Sequence, residues 1–180
     1  VVGHFHMMIG GVTLLGTFGA IYFWFPKMFG RMMNETLGRL HFWFTFVPFF
    51  VITFMQHFLG LQGMPRRYYA FGAYDFLKGT QSQNFVISVA AMVLVSGQLL
   101  FLVNFLWSLL RGRVASANPW QATTLEWTVP SPPPHGNFGE SVPLVHRGSY
   151  EYGIDIAGAD PAQGDFASQT TARRGIPVTA

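Results

Sequence analysis

VVGHFHMMIGGVTLLGTFGAIYFWFP, residues 1–26, contains no Asp, Glu, Lys or Arg. Its length exceeds the roughly 20 apolar residues that cross the core of a bilayer as a helix. Two further runs without these charged residues cover positions 40–65 and 79–110. We therefore predict an all-α membrane protein with three transmembrane helices, at about residues 1–25, 40–60 and 84–110.

The composition supports this class. Of the 180 residues, 50% are hydrophobic, 17% are aromatic and 11% are charged, whereas a soluble domain carries about 25% charged residues. The absence of cysteine excludes iron–sulfur clusters, disulfides and covalently attached c-type heme. The calculated pI is near 9.5, but the basic residues are dispersed at the ends of the predicted helices. They form no patch of the kind that binds nucleic acid, and we expect no nucleic-acid partner.

Local signals predict where the helices begin and end. Pro26 disfavours helical geometry in the residue before it, so we expect the first helix to end near Phe25. Asn34 and Glu35 match a helix cap followed by a favourable acid in the first turn. The chain starts without Met and without the basic segment of a signal peptide, so we expect a fragment of a longer protein.

After Arg113 the apolar runs give way to Pro, Gly, Ser and Thr. Residues 1–113 carry eight basic and two acidic residues, whereas residues 114–180 carry three basic and six acidic residues. We predict that 1–113 is the membrane part and that 114–180 is an irregular soluble tail. The tail is expected to be partly disordered, above all over 153–180, where apolar residues are few.

The motif His4-Phe5-His6 lies inside the first apolar run, where histidine is costly. Residues two apart on a helix point about 200° apart, so the two imidazoles cannot share one metal but can bind two. Two irons bound in this way would be on the order of 15 Å apart, which suits electron transfer between two hemes. His41 and His57 lie near the ends of the second helix, where interfacial water can satisfy them, and we interpret both as structural.

The distribution of Lys and Arg predicts the orientation. Five lie near the first loop and the start of the tail, and three lie on the other side of the membrane: Lys27, Arg31, Arg39, Arg111 and Arg113 against Arg66, Arg67 and Lys78. The first side and the tail are therefore predicted to be cytoplasmic. The histidines and Arg66-Arg67 then share the outer face, where guanidinium groups can pair with heme propionates.

These segments together resemble a known family, the subunit I of heme-copper terminal oxidases. The resemblance covers roughly residues 1–150 and begins at the family's tenth transmembrane helix. It rests on motifs in the family's order: Val1 to His6, Tyr22 to Met28, Gly30 to Met32, Asn34 to Gly38, His41 to Trp43, Gln56 to Leu61, Gly63 to Tyr68, Asn118 to Trp120, Thr124 to Trp127 and Ser131 to Pro134. It implies the last three helices of a twelve-helix bundle.

The resemblance also implies residue roles. His4 would be the proximal ligand of the high-spin heme where oxygen is reduced, and His6 would be an axial ligand of the low-spin heme. Phe5 would lie between the two hemes, which the resemblance implies are of the a type. Arg66 and Arg67 would bind propionates. Gly3 stands where the family usually has Ala, a change that we expect to matter little.

The parent enzyme would be a terminal oxidase of a bacterial cytoplasmic or mitochondrial inner membrane. It would pass electrons from cytochrome c to oxygen, form water and pump protons, with the rest of subunit I and subunits II and III as partners. The copper ligands and proton-uptake channels of the family belong to earlier helices. The fragment alone is therefore not expected to be active.

Three other functions fit part of the sequence. A quinol-oxidising oxidase shares the His-Phe-His motif, although Met64-Pro65-Arg66-Arg67 is closer to the cytochrome c branch. A diheme membrane anchor would need paired histidines, and the third helix has none. A membrane scaffold without catalysis would explain the hydropathy but not the placement of His-Phe-His and Arg-Arg on one face.

Overall fold

The structure is a computed structural model, and it describes residues 1–139, 142–148, 150 and 167–171. Within these residues, three helices are long and apolar enough to cross a membrane: Val2–Phe29, Glu35–Leu61 and Asp75–Arg111. The described part contains helices and an irregular tail, with one isolated β-bridge and no longer strand. The predicted all-α membrane fold with three spanning helices is confirmed.

The first spanning helix has three parts. Helix α1 covers Val2–Ile9, a π-helical segment covers Gly10–Leu15, and helix α2 covers Gly16–Phe29. The helix continues past Pro26, where we had expected it to end, because proline removes only one helical hydrogen bond and membrane helices tolerate that loss. It ends at Gly30, whose φ of +65° is a left-handed conformation that glycine adopts without strain.

Helix α3 covers Glu35–Leu61. Asn34 is its N-cap, and the Asn34 side chain accepts a hydrogen bond of 3.0 Å from the backbone N–H of Leu37. This confirms the predicted cap. The helix begins at Glu35, before the predicted start at residue 40, because an acidic residue in the first turn is favoured by the helix dipole. Glu35 also pairs with Arg39 one turn later.

Helix α4 covers Gln81–Arg111 and follows two short 3-10 helices, Phe71–Ala73 and Asp75–Thr80. It packs closely on α3 at Gly97. A Cβ atom added to Gly97 would lie 3.0 Å from Cβ of Phe44 and 3.1 Å from the Phe44 carbonyl oxygen. That carbonyl is the one that Pro48 leaves without its helical donor. The small residue therefore lets α4 approach the backbone of α3 at the position of the proline.

The chain divides into two compact units. The helical unit consists of Val1–Phe23 and Met33–Arg111, and the tail unit consists of Trp24–Met32 and Gly112–Ala180. Composition alone had suggested a single boundary after residue 113. It could not show that residues 24–32 group with the tail, because that grouping depends on contacts between residues about 100 positions apart.

Lys27 is the centre of the tail unit. Its side chain is 8% exposed, and its ammonium group donates hydrogen bonds to the carbonyls of Val129 at 2.7 Å, Ala117 at 3.1 Å and Pro130 at 3.3 Å. The same ammonium lies 4.9 Å from the centroid of the Trp127 ring. A buried cation is costly unless it is hydrogen-bonded, and these contacts satisfy it.

Backbone pairing joins the two segments of the tail unit. The N–H of Met32 donates to the carbonyl of Arg113 at 2.8 Å, and the N–H of Ala115 donates to the carbonyl of Gly30 at 2.9 Å. Arg31 adds a side-chain hydrogen bond of 2.7 Å to the carbonyl of Gly112. Residues 30–32 therefore hold the start of the tail by main-chain contacts that do not depend on side-chain identity.

Part of the tail that we predicted to be disordered is hydrogen-bonded. The backbone N–H of Gln169 donates to the carbonyl of Thr123 at 2.9 Å, and the Gln169 carbonyl accepts from the N–H of His146 at 2.9 Å. Ala167 is buried at 2% exposure. The remainder of that prediction, for residues 153–166 and 172–180, lies outside the described residues.

Replacing Lys27 with Met is expected to loosen the tail unit. The substitution keeps the length of the side chain but removes the donor of the Val129 and Pro130 carbonyls and one of the two donors of the Ala117 carbonyl, which we expect to destabilise the unit by about 2–3 kcal/mol. Hydrogen exchange of the intact chain should then be faster over residues 115–130.

Lys78→Met is the matched control, because Lys78 is exposed and its partner Asp75 is a surface carboxylate. It should leave the exchange over 115–130 unchanged. Equal exchange rates for the two variants would contradict the role given to Lys27.

Candidate functional site

Helix α1 presents the His-Phe-His motif. Gly3 is the buried residue of this helix, while His4, Phe5 and His6 are exposed within the chain. Helical geometry directs the two imidazoles to opposite sides of α1. The Phe5 ring lies edge-on to the His6 ring, with 5.5 Å between the ring centroids. Both imidazoles are therefore accessible to groups outside the chain.

A hydrogen bond fixes the form of His6. Its Nδ1 lies 2.9 Å from the carbonyl oxygen of Val2. A carbonyl can only accept, so Nδ1 is the donor, and in the neutral ring the lone pair is then on Nε2. Histidines that bind a metal commonly have this arrangement, in which the second nitrogen donates to a backbone carbonyl. The geometry suits His6 for coordination through Nε2.

Arg66 and Arg67 lie in the segment after α3 and are exposed. Arg67 has a φ of +58°, which is uncommon for a residue other than glycine. Within the described ranges, the ion pairs are Glu35–Arg39 and Asp75–Lys78, so neither Arg66 nor Arg67 has a carboxylate partner there. Both guanidinium groups are free to bind an anion.

The histidines and the arginines lie at the same end of the α1–α3 pair. Gly3, next to His4, packs against His57 and Thr53 of α3. His57 is in the last part of α3, which ends at Leu61, and Arg66 follows shortly after. The start of α1 therefore lies beside the last part of α3. Among the described residues, no hydrogen bond joins His4 or His6 to Arg66 or Arg67.

The described residues contain no group of three or more His, Cys, Asp or Glu side chains that could enclose a metal ion. His4 and His6 each present one imidazole, and helical geometry directs the two in different directions. A histidine that offers a single nitrogen is compatible with a metal whose other ligands come from a macrocycle, because a heme iron needs only axial ligands from the protein.

His41 is in a different environment from the one that we expected. It is buried at 2% exposure, so protein groups and not interfacial water surround it. Its Nδ1 lies 3.3 Å from the hydroxyl of Tyr22, and its Nε2 lies 3.4 Å from Oε1 of Gln98. Gln98 also donates to the hydroxyl of Thr45 at 3.1 Å. His41 of α3 is thus held inside the helical unit by contacts with α2 and α4.

The polar cluster around His41 continues to Asn104, which is fully buried. The Asn104 amide donates to the carbonyl of Asn34 at 3.0 Å and accepts from the N–H of Asn34 at 3.0 Å. It also accepts from the Ser108 hydroxyl at 3.1 Å and donates to the Tyr22 hydroxyl at 3.5 Å. Sequence reasoning missed this cluster, and its signal was the presence of Tyr22, Asn104 and Ser108 in apolar runs.

Comparison with known proteins assigns the chain to a family. Residues 1–93, more than half of the chain, match the family model described as Cytochrome C and Quinol oxidase polypeptide I. The chain is similar to the "Alternative cytochrome c oxidase subunit 1" of Bradyrhizobium diazoefficiens, at 46% identity over 162 residues. This match covers 89% of the chain and 27% of that relative.

Two other relatives are named "Cytochrome c oxidase subunit 1". The protein of Synechocystis is 44% identical over 155 residues, covering 86% of this chain and 27% of the relative. The protein of Alkalihalophilus pseudofirmus is 43% identical over 142 residues, covering 78% and 22%. The chain spans about a quarter of the length of these relatives. It belongs to the cytochrome c and quinol oxidase polypeptide I family.

Proposed function

We propose that the chain is the part of an oxidase subunit I that supplies axial ligands to two hemes, and that the whole protein passes electrons from cytochrome c to oxygen. The observation that carries the proposal is the exposed His4-Phe5-His6 motif on one helix of a chain of this family, with Nδ1 of His6 bonded to the Val2 carbonyl. The donor set fits the group, because each imidazole can offer one nitrogen to one iron.

In this proposal His4 binds the high-spin heme and His6 binds the low-spin heme. When bound, the two hemes would supply one-electron transfer, and the high-spin heme held by His4 would also supply the site of oxygen reduction. The chain's own residues orient them. The hydrogen bond from Nδ1 of His6 to the Val2 carbonyl restricts rotation of the His6 ring and leaves Nε2 as the nitrogen available to a ligand, and Phe5 separates the two histidines in the sequence.

Arg66 and Arg67 would bind the heme propionates. Two exposed guanidinium groups without a carboxylate partner in the described residues match carboxylates in geometry and in charge. Their place at the same end of the α1–α3 pair as His4 and His6 supports this role. The tail is proposed to be cytoplasmic, with these residues on the other side of the membrane, as the distribution of Lys and Arg predicts.

The other parts of the reaction belong to the whole protein. We propose a copper site and proton-uptake channels in segments that this sequence does not include, proton pumping linked to oxygen reduction, and oxidase subunits II and III as partners. The hemes are proposed to be of the a type. The names of the relatives favour cytochrome c as the electron donor, as does Met64-Pro65-Arg66-Arg67.

Oxygen uptake by the full-length protein with its partner subunits tests the proposed donor. We expect rapid uptake with reduced cytochrome c and little with a quinol. The reverse preference would place the protein in the quinol-oxidising branch. If the assembled protein takes up no oxygen with either donor, the proposed function is contradicted.

Replacing Arg66 or Arg67 with Gln is expected to lower the midpoint potential of a heme by tens of millivolts. Loss of a positive charge near the propionates favours the oxidised, more positive heme, and a change on the order of 60 mV corresponds to tenfold in the equilibrium constant for one electron. Redox titration of the purified oxidase measures the shift.

Lys78→Gln serves as the control, because Lys78 is predicted to lie on the same side of the membrane but pairs with Asp75. Its heme potentials should equal those of the wild type. Unchanged potentials in both Arg variants would argue that these residues contact lipid headgroups instead.

A further inference from the structure

Gly3 lies in an unusually close contact between two helices. A Cβ atom added to Gly3 would be 2.7 Å from Nδ1 of His57, 2.8 Å from the carbonyl oxygen of Thr53 and 2.9 Å from the backbone nitrogen of His57. Heavy atoms that are not bonded prefer separations of about 3.5–4.0 Å. Two of these three atoms belong to the backbone of α3, so a change of side-chain conformation cannot relieve the contact. Only a movement of α1 away from α3 could do so.

The surface of α3 beneath Gly3 is held in place by hydrogen bonds. Nδ1 of His57 donates to the Thr53 carbonyl at 2.7 Å. The Thr53 hydroxyl donates to the carbonyls of Phe49 at 3.0 Å and Phe50 at 3.2 Å. Thr53 is 1% exposed. This turn of α3 therefore offers little freedom to adapt to a larger residue on α1.

A second contact lies on the same side of the first spanning helix. Gly10 is seven residues after Gly3, which is close to two turns of a helix. A Cβ atom at Gly10 would be 2.6 Å from Cε2 of Phe49. Because this neighbour is a side chain, it can move more easily than the backbone atoms near Gly3. Gly3 is thus the more rigid of the two contacts.

We infer that Gly3 is a positioning residue, which sets the distance between α1 and α3 and thereby places His4 and His6. The inference rests on the proposed function, in which both histidines bind hemes. His4 follows Gly3 directly, and His6 is three residues after Gly3, so any displacement of α1 at Gly3 carries both imidazoles with it. A binding site must hold its ligands within about 0.5 Å of the working geometry, and a displacement large enough to admit a Cβ atom is of that size.

The contact argues against the expectation that Gly in place of the usual Ala matters little. In this chain an Ala at position 3 would occupy space that α3 backbone atoms already fill. The substitution is harmless only where the two helices lie further apart. We therefore expect α1 and α3 to lie further apart in members of the family that have Ala at this position.

Gly3→Ala in the full-length oxidase, assembled with its partner subunits, tests the inference. We expect altered electron paramagnetic resonance g-values for the low-spin heme, because these depend on the orientation of its imidazole ligand. Turnover should fall on the order of tenfold, which is less than the roughly hundredfold loss that a 1 Å misplacement can cause. Gly19→Ala is the matched control, because nothing lies within 4 Å of a Cβ atom at that position of the same spanning helix.

The outcomes separate this inference from the proposed function. If the wild type contains two heme populations and Gly3→Ala has the same g-values and turnover, the inference is wrong and the proposed function stands. If the wild type binds no heme, the proposed function fails and the inference fails with it. Altered low-spin g-values in Gly3→Ala but not in Gly19→Ala would support the inference.

A second pair of variants covers the case in which Gly3→Ala does not assemble. His57→Ala removes Nδ1, the nearest of the three atoms. The double variant Gly3→Ala/His57→Ala then retains only the close contacts with the Thr53 carbonyl oxygen and with the backbone nitrogen of residue 57. The double variant is expected to differ from His57→Ala in the low-spin g-values, measured directly on membranes. Identical spectra for the two would overturn the inference.

Discussion

His6→Ala in the full-length oxidase is expected to remove the low-spin heme while high-spin heme is retained. The substitution deletes the only group of α1 that we propose as a ligand on that side, so roughly half of the bound heme should be lost. Turnover should fall more than about 100-fold, the upper end of what loss of a supporting group around a ligand causes. His4→Ala should do the reverse, removing the high-spin population. Absorption spectra of oxidised and reduced protein measure both.

Two further variants guard this result against simple misfolding. His6→Gly with added imidazole should regain low-spin absorbance, because free imidazole can occupy the space of the missing ring. His135→Ala, which changes an exposed histidine of the tail, should keep both heme populations. Retention of both spectra in His4→Ala and in His6→Ala would rule out the assignment of these residues as ligands.

Asn104→Leu is expected to destabilise the helical unit by about 2–3 kcal/mol. The fully buried amide joins α4 to Asn34 at the start of α3 and to Tyr22 of α2 through three hydrogen bonds, and it accepts a fourth from Ser108 in its own helix. Hydrogen bonds between membrane helices average about 0.6 kcal/mol each. Removing Asn104 also leaves its buried partner groups without their hydrogen bonds, which adds to the cost. The midpoint of thermal unfolding of the assembled oxidase should fall accordingly.

Ser88→Ala provides the comparison for Asn104. The Ser88 hydroxyl donates only to the carbonyl of Asn84 in its own helix, at 2.9 Å, so its loss should cost less than about 0.5 kcal/mol. If the two substitutions lowered the midpoint equally, the polar cluster would have no special part in holding α4 against α3.

The sequence predicted the features that depend on local chemistry. Runs without charge predicted three spanning helices, because a bilayer core excludes unpaired charges whatever the rest of the fold. Asn34 predicted a cap, since a cap needs only a side chain and the N–H three residues on. The ends of the helices were predicted less well where a charged residue or a proline was taken to mark the end. Glu35 lies inside α3, and Pro26 lies inside α2.

Features that depend on which surfaces meet could not be predicted. Lys27 was counted only as a charge at a helix end, whereas its partners lie about 100 residues away in the tail. His41 was placed in interfacial water because nothing in the sequence shows that Tyr22 and Gln98 face it. The close contact at Gly3 depends on the distance between two helices, and no pattern of residues encodes that distance directly.

The central claim is that His4 and His6 serve two different hemes. The measurement that tests it most directly is a pair of difference spectra, reduced minus oxidised and carbon monoxide-bound minus reduced. They should be recorded on membranes that contain the full-length parent protein and its partner subunits. We predict two heme populations, of which one binds carbon monoxide. The absence of a heme signal from properly assembled protein, or carbon monoxide binding by all of the heme, would contradict the claim.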